Sequence, residues 1–166
     1  MTAKPLPDDK IGQATADFLV CFPFFDTLTS KDILIIAEHI NFLEIEEGAF
    51  VFREGELGDC VYFVIKGELE VIKEGATEGQ EGVVISKLSK GRSIGEMSVI
   101  DKTPHSATVR ARTRSTVVTL SAEGFDIILE KHPRIGIKVL KGLSRLLSMN
   151  LRKTSARLAE YMLPIS

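Results

Sequence analysis

The spacing of apolar and polar residues changes period twice along the chain. From Ile11 to Ile40 it is helical: Phe18-Leu19, then Phe24-Phe25 beyond Pro23, then Ile33, Leu34, Ile36, Ala37 and Ile40, with Ser30 read as an N-cap. From Asn41 to Ser121 the period is two. Phe50 and Phe52, Val61, Phe63 and Ile65, Leu69 and Val71, Val83 and Ile85, and Ala107, Val109 and Ala111 mark short strands. Glycines 48, 55, 58, 67, 75, 79, 82 and 91 punctuate them at strand-length intervals. From Ala122 the helical period returns. Phe125, Ile128 and Leu129 form a short helix ending before Pro133, and a long helix runs from about Arg134 to about Tyr161. Met1–Lys10, with Pro5 and Pro7, reads as an irregular arm. The pattern predicts an α+β fold in one domain over 11–166. An antiparallel β-roll, a jelly-roll-like barrel (41–121), lies between N-terminal helices (11–40) and C-terminal helices (122–162).

Composition narrows the function classes. The chain has 166 residues, 44% hydrophobic and 27% charged, with a formal charge of −2. That is globular composition, and it argues against a polyanion binder. Two cysteines, Cys21 and Cys60, are too few for a disulfide framework and fit a reducing compartment. Lys4, Asp8, Asp9 and Lys10 break up the first dozen residues, which is no secretory leader, and no apolar run approaches the ~20 residues that span a bilayer. The expectation is a soluble, cytoplasmic protein without membrane attachment of its own.

Candidate chemistry sits where the strand pattern breaks, between Gly91 and Val109. Gly95-Glu96 followed by Met97-Ser98-Val99-Ile100 reads as one helical turn whose free N–H groups form a small anion nest. Glu96 is an acceptor suited to a hydroxyl pair, and Pro104 directs the return into the next strand. A purely structural turn accounts for these residues as well.

This segment resembles the phosphate-binding cassette of the cyclic nucleotide-binding domain family, the module of the catabolite activator protein and of protein kinase A regulatory subunits. Phe52-Arg53-Glu54-Gly55-Glu56-Leu57-Gly58-Asp59 and Val61 through Leu69 resemble the family's first barrel signature, and the likeness runs from about Phe24 to about Leu158. The resemblance implies that Glu96, following Gly95, bonds the ribose 2′-hydroxyl. It implies that the N–H groups of Met97 and Ser98 hold the cyclic phosphate, and that Ser106, beside Ala107, adds a hydroxyl. Val71 and Ile85 would line the sugar and base pocket, and Asn150 would meet the purine edge of cyclic AMP or cyclic GMP. No other cofactor is implied.

One position departs from the pattern. The family usually has arginine after the proline, and this chain has His105. Arginine offers a permanently charged planar fork, whereas a neutral imidazole offers one donor. Arg92, Arg110, Arg112 and Arg114 are the nearest replacements for the lost charge, the last three reading as one solvated strand face. Two readings therefore stand: a stand-alone regulatory sensor module that signals through its C-terminal helix to an effector protein, or a degenerate, non-binding module of the same fold used for protein interaction or dimerisation.

An enzyme on a similar roll would need clustered metal ligands, and the three histidines are far apart with no His-x-His pair. A lone histidine does not define a haem site, and two distant cysteines cannot hold an iron–sulfur cluster. The long helix carries seven basic residues from Arg134 to Arg157 without an acid between, a pattern that reads as a solvated face. No helix-turn-helix follows it, so direct DNA binding is not expected. Val139, Leu143, Leu146 and Asn150, widened by Leu140, Leu147 and Leu151, form a stripe that predicts a homodimer along this helix.

Overall fold

Part of the expected irregular arm is a strand, because extended backbone at Ala3–Pro5 finds an open sheet edge. This strand, β1, pairs antiparallel with β2 (Ile40–Ile45), placing Lys4 opposite Glu44. The computed structural model describes residues 3–7, 11, 14–15, 18, 21–22, 27–75 and 82–162. The readings placed on Leu19, Pro23, Phe24, Phe25 and Gly79 lie outside them.

The first described helix segment covers residues 11, 14–15, 18 and 21. Helix α1 (Ser30–Ala37) starts one residue earlier in its capping than the sequence suggests. Thr29 is the N-cap, its hydroxyl accepting from the Asp32 N–H while the Asp32 carboxylate accepts from the Thr29 N–H at 2.9 Å. Ser30 cannot form that reciprocal pair, since its third residue on is Ile33.

The remaining strands are β3 (Phe50–Phe52), β4 (Cys60–Lys66), β5 (Leu69–Lys73), β6 (Val83–Leu88), β7 (Ser93–Ile94), β8 (Thr108–Ala111) and β9 (Ser115–Ser121). They form two antiparallel sheets, ordered β1-β2-β9-β4-β7 and β3-β8-β5-β6. The space between the sheets is filled by Ile45, Val51, Tyr62, Val64, Leu69, Val109 and Val117 among others. Strand β4 also buries its opposite face, where Val61, Phe63 and Ile65 meet Phe18, Phe125 and Ile128 of the flanking helices and Phe22 just beyond the first of them. Phe63 takes Phe22 edge-on at a centroid distance of 5.0 Å.

Three more helices complete the fold: α2 (Glu96–Asp101), α3 (Ala122–Lys131) and α4 (Pro133–Met162). Helix α4 has two unlike halves. Ile135, Val139, Leu143 and Leu146 pack into the helix-covered core. From Leu151 to Met162 every residue is exposed. The stripe expected to meet a second helix is therefore divided. Val139, Leu143 and Leu146 serve the chain's own core, while Leu140 and Leu151 remain outside. No helix among the described residues is long and apolar enough to cross a membrane.

Candidate functional site

Sheet closure leaves a cleft of about 180 Å³ between the β5–β6 side of the roll and the segment from Ile94 to Ala107. Nine of the ten residues singled out in the sequence line it: Val71, Ile85, Gly95, Glu96, Met97, Ser98, His105, Ser106 and Ala107. Phe52, Ile94, Thr103 and Pro104 line it too. Pattern alone missed them because each also suits a strand or a turn. For Phe52 the signal was its place at the head of the barrel signature.

The amino-terminal arm of the cleft is built on Gly95. Its φ of 87° is left-handed, and a Cβ there would stand 2.6 Å from the Cys60 carbonyl oxygen, so only glycine fits. The chain then turns straight into α2, which aims Glu96 inward. Glu96 is only 4% exposed. Its Oε1 accepts from Asn150 Nδ2 at 2.9 Å, while its Oε2 is buried without a hydrogen-bond partner among the described residues. A buried carboxylate oxygen left in that state costs free energy, and a ligand hydroxyl would relieve the cost. Asn150 itself does not line the cleft. It reaches in from α4, and its Oδ1 accepts from the Arg92 guanidinium at 3.0 Å. The tenth predicted residue thus ties the long helix to the carboxylate, with its amide engaged at both ends. Behind this arm the Cys60 thiol is pushed up to about 12 by burial and then by Asp59, so it is no nucleophile at neutral pH.

The carboxy-terminal arm is organised differently. The His105 N–H donates to the Glu56 carbonyl at 2.8 Å, and the His105 carbonyl accepts from the Gly55 N–H at 2.9 Å. The imidazole stacks on Phe52 with centroids 3.6 Å apart and shares a hydrogen bond with Ser98 between Nδ1 and Oγ at 3.2 Å. A Cβ on Gly58 would lie 2.6 Å from the ring, so that glycine admits the histidine. Burial holds the His105 pKa below its ordinary 6.5, with Glu56 and Asp59 opposing the shift. At neutral pH the ring is uncharged.

None of the strand arginines is free to supply the missing charge. Arg110 is bonded to Glu70 at 2.7 Å, Arg112 is paired with Glu68, and Arg114 lies 2.8 Å from Glu44. Only Arg110 lies within a strand, so the expected common face is a set of three separate pairs. Among the described residues no group of three or more His, Cys, Asp or Glu stands within reach of one metal ion.

The sequence of residues 42–132 matches the cyclic nucleotide-binding domain family. A cAMP-dependent protein kinase regulatory subunit from Yarrowia lipolytica is 36% identical over 112 residues, which is 68% of this chain and 28% of that protein. The chain spans about a quarter of the length, or less, of the curated relatives it matches. Among solved structures, a cyclic nucleotide-binding domain from Methylobacillus flagellatus superposes with a TM-score of 0.85 at 24% identity, over 98% of this chain and 90% of that one. The Thermus thermophilus catabolite activator protein superposes with a TM-score of 0.68 at 23% identity, over 84% of this chain and 62% of that one. These two likenesses show a shared fold. With a family match over more than half its length, the chain belongs to the cyclic nucleotide-binding domain family.

Proposed function

We propose that this chain is a regulatory sensor that binds cyclic AMP or cyclic GMP in the cleft and reports occupancy through α4 to an effector protein. The observation that carries the reading is Glu96, a cleft-lining, buried carboxylate with one oxygen tied to α4 and the other without a hydrogen-bond partner among the described residues. A ribose hydroxyl supplies the donor that Oε2 lacks. Asn150 connects the same carboxylate to the helix at the point where it leaves the roll, which supports α4 as the output element.

Calorimetric titration with each nucleotide at pH 6 and pH 8 tests the proposal. Saturable binding of one nucleotide per chain is the expected result. Absence of binding at millimolar concentration at both pH values would overturn it. The degenerate, non-binding module then takes its place, and one observation already favours it: His105 is packed on Phe52 where the family usually has an arginine.

A homodimer along α4 belongs to the same proposal. Ile137, Leu140, Leu147, Leu151 and Leu158 recur at heptad spacing, and Leu151 is 68% exposed. Light scattering should give about twice the 18.3 kDa chain mass. Leu151→Asp should yield a folded monomer. Leu143→Asp should unfold the chain instead, because Leu143 is 0% exposed and a charge there is uncompensated.

A further inference from the structure

Among the described residues the cleft wall carries one formal charge, the carboxylate of Glu96, and no lysine or arginine. His105 adds none at neutral pH. If the cleft takes a cyclic phosphate, which is the reading this inference rests on, positive potential must come from behind the wall. Lys73 stands there. It is the last residue of β5, and its Nζ donates to the Ser106 carbonyl at 2.9 Å while pairing with Glu54.

The Ser106 carbonyl and the Ala107 N–H belong to one resonance-coupled peptide unit. A cation on that oxygen draws electron density through the amide and makes the N–H a stronger donor. The arm leaves such donors available. Its His105 backbone groups are both used against the β3–β4 loop, whereas no acceptor stands against the Ser106 or Ala107 N–H among the described residues.

Lys73 is also held in place. The Glu54 N–H donates to Thr108 Oγ1 at 2.9 Å, Thr108 Oγ1 donates to Glu74 Oε1 at 3.0 Å, and Glu54 Oε2 accepts from the Glu74 N–H at 3.2 Å. We infer that Lys73 is a positioning residue that supplies the phosphate arm's positive charge through the Ser106–Ala107 peptide, and that Glu54 fixes its ammonium there while attenuating its field.

The alternative is a plain structural clip, and two substitutions in the full chain separate the two by sign. In calorimetric titrations with cyclic AMP and cyclic GMP, Lys73→Met should weaken binding by about tenfold, and Lys73→Arg should restore it. Glu54→Gln removes the opposing charge and leaves one amide oxygen to accept from Lys73, giving up the bond from the Glu74 N–H, so binding should tighten by a few-fold. Binding of uncharged adenosine should be unchanged by Lys73→Met. A clip instead weakens binding in both variants, and that result overturns the inference. So does an unaltered affinity in Lys73→Met.

If the wild-type chain binds neither nucleotide, the sensor reading falls, and the amide proton of Ala107 in the ligand-free protein still decides this one. Its resonance should move upfield in Lys73→Met and downfield in Glu54→Gln. No movement, or movement in one direction for both, overturns the inference.

Discussion

The two arms of the cleft are chemically opposite. The amino-terminal arm, Gly95 to Ser98, aims a buried carboxylate inward and is tied to a distant helix through Asn150 and Arg92. The carboxy-terminal arm, His105 to Ala107, turns its ionisable side chain onto Phe52 and is tied to the adjoining loop through backbone bonds. Glu96 keeps its place because the hydrogen bond donated by the Asn150 amide offsets part of its desolvation. His105 is accommodated by shedding its charge, since an imidazole buried against an aromatic ring and a glycine is favoured in its neutral form. One arm therefore presents a carboxylate to the cleft and the other backbone and hydroxyl groups.

Removing the fixed charge should have the largest effect. Glu96→Gln keeps the Asn150 neighbour but loses the charged acceptor, which should cost about 1.5–3 kcal/mol of nucleotide affinity, measured by calorimetry with the fold checked by circular dichroism. Equal affinity in this variant would remove Glu96 from the site. The next effect is steric and falls on the other arm. Gly58→Ala drives a Cβ into the imidazole and should lower stability by about 1–3 kcal/mol in denaturant titration. Gly55→Ala is its control: with a φ of 82° and open space around it, it should cost ~1 kcal/mol and leave the cleft unaltered.

His105→Arg sharpens the contrast by restoring a charge to the second arm. Binding at pH 8 should tighten by about tenfold and lose its pH dependence, because arginine does not titrate there.

In the wild type, acid acts with two signs. Burial lowers the folded-state pKa of His105, so below about 6.5 the unfolded chain takes up protons that the folded chain resists. Stability is greatest above that pH and falls as the pH drops toward the lowered folded value. A bound phosphate favours imidazolium, so affinity should rise over the same window. Urea unfolding and titration across pH 5–8 measure both slopes, and His105→Asn should remove this residue's share of each.

Much of the fold was legible. Alternation from Phe42 to Leu120 and helical spacing from Phe125 onward correspond to antiparallel strands followed by helices, because each periodicity suits one backbone geometry and one buried face. Legibility failed where burial has two sides. Val61 through Ile65 are all buried, since β4 lies between the second sheet and the helices, and alternation there says nothing about which residues face which layer. It failed again for charges whose partners are remote in sequence. Arg110, Arg112 and Arg114 resemble a solvated row until folding brings Glu70, Glu68 and Glu44 against them. Asn150 was identifiable as a site residue only by family resemblance, and its bond to Glu96 spans 54 positions that no local pattern reports.

By itself the sequence determined the order of helices, roll and helices, the cassette with its glycine and carboxylate, and the absence of arginine after Pro104. These are local properties, set by side-chain type and spacing. Tertiary structure alone decided that Leu143 belongs to the core while Leu151 does not, that His105 lies uncharged on Phe52, and that Lys73 stands behind Ser106. Those outcomes depend on which surfaces lose water against which others, and desolvation is a property of the assembled fold rather than of any segment.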